Sequence, residues 1–151
     1  MTDSSSTKIR TERSALERQY SEQRKDALFT LLLGLVSIVA LFWYYAHQQI
    51  LLYGDAVAHV NIARRVLDNR SWLSSFFQLG TVWLPLPHIL MLPFVWNQTL
   101  WVSGVAGSIA SMVAYVMGSL GIYRLVRARA PEAAAYLAAA TYALNPNLLY
   151  M

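Results

Sequence analysis

Apolar and polar positions alternate in long blocks along this chain. Residues 1–26 are polar and dense in charge, whereas residues 27–46 contain no charged side chain and are rich in Leu, Val and Phe. Twenty residues at about 1.5 Å each make roughly 30 Å of helix, the thickness of a bilayer's hydrocarbon core. Trp43, Tyr44 and Tyr45 follow where an aromatic belt meets the interface. Those bulky residues, and an apolar run beyond the roughly 7–15 residues of a signal peptide, predict an uncleaved anchor. A second uncharged run covers residues 99–123, long enough to span with some tilt. A third covers residues 133–151 and is alanine-rich, interrupted by Asn145 and Pro146. The pattern predicts an all-α integral membrane protein with three transmembrane helices, 27–46, 99–123 and 133–151. The third run reaches Met151 without a polar stop, which predicts the N-terminal part of a larger polytopic protein.

Within 99–123, Gly104, Gly107, Ser111, Ala114, Gly118 and Gly121 recur every three or four residues. Such a seam lets helix backbones approach closely in lipid, so this helix expects further transmembrane helices as partners. Residues 1–26 hold Lys8, Arg10, Arg13, Arg18, Arg24 and Lys25 among five acids. They read as a solvated tail, disordered over Ser4–Ser6 and forming a frayed helix from Thr11 onward. Six basic residues in the tail and three in the connector 124–132, against three in the 52-residue loop 47–98, place tail and connector in the cytoplasm. The reading is a multi-pass inner-membrane protein with a cytoplasmic N-terminus and an extracytoplasmic loop.

Composition agrees. Charged residues make up 13% of the chain, about half the share of a typical globular protein, and the mean hydropathy is +0.37. The pI near 9.6 invites nucleic acid as partner, but the basic residues flank apolar spans instead of forming one soluble face, so no nucleic acid is expected. The absence of cysteine excludes disulfides and thiolate metal sites.

The outer loop carries the chemistry. Leu51-Leu52-Tyr53-Gly54-Asp55 opens a predicted surface helix over 55–69, lying along the membrane. Asp55 suits an N-cap or first-turn position. Ala56, Val60, Ala63 and Leu67 share one face, Asn61, Arg64, Arg65 and Asp68 the opposite one, and Asp55, His59, Ile62 and Val66 a stripe between. Asp55 and His59 thus stand one turn apart and could act on one substrate. The plainer alternatives are a structural cap for Asp55, an interfacial histidine for His59, an i,i+4 pair between Arg64 and Asp68, and lipid-phosphate contacts for Arg64 and Arg65. The apolar run 82–96 holds three prolines and is too short to span, which predicts a Pro-rich interfacial segment. Trp83 and Trp96 there suit interface anchoring. His47, His59 and His88 are too scattered in sequence to predict a metal site.

A span, an external loop opening with Gly54-Asp55 on a short helix bearing Ile62-Ala63-Arg64-Arg65, and then Trp83-Leu84-Pro85-Leu86-Pro87-His88 together resemble the N-terminal part of GT-C glycosyltransferases. The nearest branch is that of the protein-mannosyltransferase-like and aminoarabinose-transferase-like enzymes. The resemblance covers residue 27 onward. It implies transfer of a sugar from a polyprenyl-phosphate carrier to an acceptor on the extracytoplasmic side, with Asp55 as the catalytic carboxylate. His59, Arg64, Arg65, Trp83 and His88 become the substrate-binding candidates, and a divalent metal is an optional cofactor. The chain departs from the family's pattern at Ala56, where many relatives have a second acid, and at Leu84–His88, where many have Lys-Pro-Pro-Leu. The alternative from another class is a non-catalytic multi-span membrane protein that binds lipid or partner helices. A transporter ranks last, because no charged residue lies inside a predicted span.

Overall fold

The computed structural model describes residues 3–68, 77, 79 and 85–150. Among these every regular element is a helix. The long α1, Asp3–Ala46, takes in both the charged tail and the first apolar run. Ser4–Ser6 therefore belong to a helix, not to the disordered lead expected from their composition. Leu31 and Phe42 on the apolar half are 69% and 68% exposed, which in water would be costly over so many residues and in lipid is not. The helix closes on paired backbone bonds, from Gln49 N–H to the Tyr44 carbonyl (2.8 Å) and from Gln48 N–H to that of Tyr45 (3.1 Å). Gln48 sits at φ 56 in the left-handed position usually given to glycine.

α2, Gly54–Asp68, coincides closely with the helix read from the sequence. Val60, Ala63 and Val66 are its buried residues, so the buried face is turned partly toward the stripe of Asp55 and His59. That face meets protein as well as any membrane: Val60 and Ala63 pack with Met91 and Val95 of α3, Pro85–Val95, and with Ala106 and Ala110 of α5, Val105–Arg127. The predicted Pro-rich segment 82–96 is thus helical from Pro85, with its first three residues outside the described set. Prolines in a first turn forfeit only N–H groups that have no helical partner anyway.

The uncharged run 99–123 is not one helix. A short α4, Gln98–Val102, is capped by the Asn97 side chain, which accepts from Thr99 N–H and Leu100 N–H. The chain then breaks at Gly104, with φ +80. A Cβ at Gly104 would stand 2.6–2.7 Å from side-chain carbons of Leu51 and Ile50, so both space and dihedral require glycine. α5 begins after this break and continues past Tyr123 to Arg127, beyond the boundary that its first charge suggested. Arg124 and Arg127 lie in its last turn, where cations complement the helix dipole.

The third run is likewise interrupted. α6, Glu132–Ala143, has 12 residues, or about 18 Å, too short to span as a helix. It stops before Asn145, whose side chain accepts from Asn147 N–H at 3.0 Å, and before Pro146, which lacks an N–H. The turn α7, Pro146–Leu149, follows. Even so, the segment runs the length of the molecule, from Glu132 bonded to Lys25 at one end to Tyr150 Oη donating to the Gln49 carbonyl at the other (2.8 Å). Among the described residues two helices, α1 over Glu12–Ala46 and α5, are long and apolar enough to cross a membrane.

The small-residue seam of α5 serves three neighbouring helices. A Cβ at Gly107 would meet Val60 and Met91, one at Gly118 would meet Tyr142 of α6, and Gly121 faces open space. Tyr123, Ala135 and Ala139 are fully buried between α5 and α6, with Phe29 of α1 packed on them.

Candidate functional site

α1 and α5 run antiparallel, since Asp26 pairs with Arg124 at one end while Ile50 and Leu51 crowd Gly104 at the other. The second of these ends holds a cleft of about 290 Å³. Its wall brings together Asp55 and His59 of α2, Tyr53 before it, Ser108 and Ser111 of α5, and Tyr150 from the chain's end. Ile50, Leu51, Val60 and Met91 supply an apolar side. Asp55 is exposed in the first turn of α2, near the positive end of the helix dipole. No ion pair to Asp55 occurs among the described residues.

His59 joins the cleft to a buried partner. Its Nδ1 lies 2.8 Å from Nε2 of His88 on α3. The rings are 30° from coplanar with centroids 4.9 Å apart, so they meet edge to edge. His88 is wholly buried, and its Nδ1 lies 3.1 Å from the Leu79 carbonyl. A carbonyl only accepts, so His88 Nδ1 carries the proton that bonds Leu79. Sequence reading missed this pair because 29 residues separate the two histidines.

The two arginines are elsewhere. Arg64 holds both Asp68 carboxylate oxygens through Nε (2.9 and 3.0 Å), donates from Nη1 to the Val95 carbonyl at 2.6 Å, and lies 4.7 Å over the Trp101 ring. It closes the last turn of α3 against α2, with Trp101 held in turn by Asn61 at 3.1 Å. Arg65 is exposed on α2 and does not line the cleft. Trp83 lies outside the described residues. Among the described residues no three His, Asp or Glu side chains converge as a metal cage, and Asp55 and His59 are the only such pair lining the cleft. The chemistry proposed below runs on the carboxylate alone.

Sequence reading also missed Tyr53, Ser108, Ser111 and Tyr150 as cleft residues. Ser111 belongs to the small-residue seam, a signal that pointed only to packing.

The opposite end is a collar of charges. Lys25 bonds Glu132 (2.9 and 3.0 Å), Arg124 bonds Asp26 (2.9 Å), and Arg127 pairs with Glu22 and with Asp26. The Lys25 ammonium, bonded to the Glu132 carboxylate, holds that carboxyl below the usual glutamate range. No protein-family model, curated protein or solved structure matches this chain.

Proposed function

We propose that this chain forms part of an integral-membrane glycosyltransferase that moves a sugar from a polyprenyl-phosphate carrier to an acceptor hydroxyl on the extracytoplasmic side, with Asp55 as general base. The observation that carries this reading is an exposed carboxylate without an ion-pair partner among the described residues, set in a cleft of mixed apolar and hydroxyl-bearing lining. The cleft stands at the end of the bundle away from the charged collar. Between them α1 offers uncharged helix over 27–46, about 30 Å, which suits a bilayer core. In the proposed topology the collar is cytoplasmic, α1 and α5 cross, and α6 with α7 makes a third, interrupted crossing back to the cleft.

In the reaction, the acceptor O–H gives its proton to the Asp55 carboxylate as its oxygen bonds the anomeric carbon from the face opposite the phosphate. The bond from that carbon to the phosphate oxygen breaks, and its electron pair leaves on the phosphate. A lipid phosphate is already a competent leaving group, so one base suffices on the protein side. Neither arginine of α2 meets that phosphate inside the cleft, because Arg64 is engaged by Asp68 and Val95 and Arg65 does not line the cleft.

The test is transfer of radiolabel from polyprenyl-phosphate sugar in membranes carrying the protein. Asp55→Asn keeps expression and insertion but lowers transfer by about 10²–10⁴; transfer at the natural rate in that variant rejects the base and favours the non-catalytic scaffold. The natural chain has no cysteine, so Tyr53→Cys creates a single thiol at the cleft. It reacts with an impermeant maleimide added outside intact cells, and labelling only after the membrane is opened reverses the topology.

A further inference from the structure

The geometry points to a second copy of this chain as the partner of α1, seated in parallel along a stripe that runs from the charged tail through the apolar run. Ile9, Tyr20, Leu31 and Phe42 recur every 11 residues along α1, and Leu16, Ala27 and Ile38 do the same. Such a repeat makes about 3.67 residues per turn, so both rows keep to one side of a nearly straight helix. The bundle lies on the other side. Leu33 and Ser37 are buried there, and Glu22, Lys25 and Asp26 reach the collar from the same side.

Lipid accounts for part of this stripe and stops short of the rest. Leu31, Ile38 and Phe42 lie within the uncharged run 27–46, where acyl chains can cover them. Leu16 and Tyr20 are 65% and 72% exposed. At about 1.5 Å per residue they stand roughly 16 and 10 Å beyond the start of that run, past a headgroup layer of about 5–7 Å. Residues 12–21 are all exposed, and a helix standing alone in water over such a length is marginal.

The borders of the stripe fit a copy of themselves. Glu12, Gln23, Gly34 and Tyr45 follow one edge, and Arg13, Arg24, Leu35 and Ala46 the other, at the same 11-residue interval. Two copies in one membrane share their orientation, so a two-fold axis along the membrane normal sets each border against the opposite one. Glu12 then meets Arg13 of the second copy, Gln23 meets Arg24, Gly34 receives Leu35, and Tyr45 lies on Ala46. Acid and amide face bases, and large side chains face small residues. A Cβ at Gly34 would meet nothing within 4 Å outside its own turn of helix, so no neighbour in a single copy requires glycine there, while Leu35 is 59% exposed. Arg13 also pairs with Glu17 at 3.5 Å, and a guanidinium has donors enough for both acids. This pairing is independent of the proposed reaction and of the side of the membrane that the tail faces.

The test is oxidation of single-cysteine variants of the full chain by copper phenanthroline in isolated membranes, since the natural chain has no cysteine. Leu16→Cys and Leu31→Cys, on the stripe, give a disulfide-linked pair of twice the chain's mass. Arg18→Cys, on the opposite side, and Leu32→Cys, exposed but off the stripe, stay single, because a disulfide needs its two backbones close together. No linking on the stripe, equal linking at all four positions, or a product of another mass overturns the second copy. Gly34→Leu fills the place that Leu35 of the second copy enters and leaves the single copy's packing intact. Energy transfer between copies labelled at Arg18→Cys in lipid vesicles then reports pairing weakened about tenfold or more. Glu12→Arg, which sets like charges together, weakens it about twofold to fivefold, and adding Arg13→Glu, which reverses the pair, restores it. Undiminished transfer in Gly34→Leu, or a double variant no stronger than Glu12→Arg alone, overturns the parallel seating.

Discussion

At the collar, Glu22, Lys25 and Asp26 of α1 meet Arg124 and Arg127 of α5 and Glu132 of α6, and each charge has an opposite charge beside it. At the cleft, Asp55 has no ion pair among the described residues, and the histidines beside it are bonded to each other and to a backbone carbonyl. Both ends join α1 and α5, and both mix charge with aromatic rings. The difference lies in what each charge touches. Paired charges at a surface contribute little net stability and have little left to offer a ligand; an uncompensated carboxylate in a cleft keeps its capacity to accept a proton. Arg64 gives the same lesson within one helix, since its bonds to Asp68 and Val95 make it a brace between α2 and α3.

The contrast can be broken at several points. Asp55→Asn gives the largest effect, a loss of about 10²–10⁴ in transfer rate with the thermal midpoint unchanged; a fall in midpoint with activity kept would make Asp55 a cap instead of a base. Gly104→Ala comes next. It forces a left-handed dihedral on a residue with a Cβ and drives that Cβ into Leu51 and Ile50, costing about 2–4 kcal/mol in denaturant unfolding and distorting the cleft they line. Arg64→Ala loses bonds to Asp68 and to the end of α3, which predicts about 1–3 kcal/mol of destabilisation without a change in phosphate binding; a selective loss of phosphate affinity at full stability would return Arg64 to the site. Gln48→Gly relieves the left-handed position that ends α1 and stabilises by about 1 kcal/mol, seen as a raised thermal midpoint.

The smallest effect sharpens the collar's side. Glu132 has a lowered pKa through its bond to Lys25, so its contribution is present above the ordinary glutamate range and is lost as the pH falls through its folded pKa. The midpoint therefore drops on acidification, and Glu132→Gln, which removes that titration, flattens the drop. An unchanged pH profile in the variant would show that the pair contributes nothing to stability.

Several features were legible in the order of residues alone. The hydropathy blocks located the two helices among the described residues that are long and apolar enough to cross a bilayer, and the 3.6-residue pattern anticipated α2 over the described residues Gly54–Asp68. It also set Asp55 and His59 one turn apart and Arg64 above Asp68, because all of these are local relations along one helix. The ends of the apolar runs were less legible. An uncharged run marks where lipid is tolerated, not where a helix is continuous. Gly104 and Asn145-Pro146 break two such runs, while Arg124 and Arg127 extend α5 because Glu22 and Asp26 lie across from them on α1.

Helical class, the apolar stretches and the residues one turn apart follow from local order along the chain, since backbone periodicity and side-chain polarity act within a few residues. Helix packing, by contrast, sets the meeting of His59 with His88, the closing of the cleft by Tyr150 and Ser108, and the covering of the apolar face of α2 by α3 and α5. Those contacts join residues tens of positions apart, and which of them form depends on how several helices pack at once, with Gly104, Gly107 and Gly118 setting where the backbones come close.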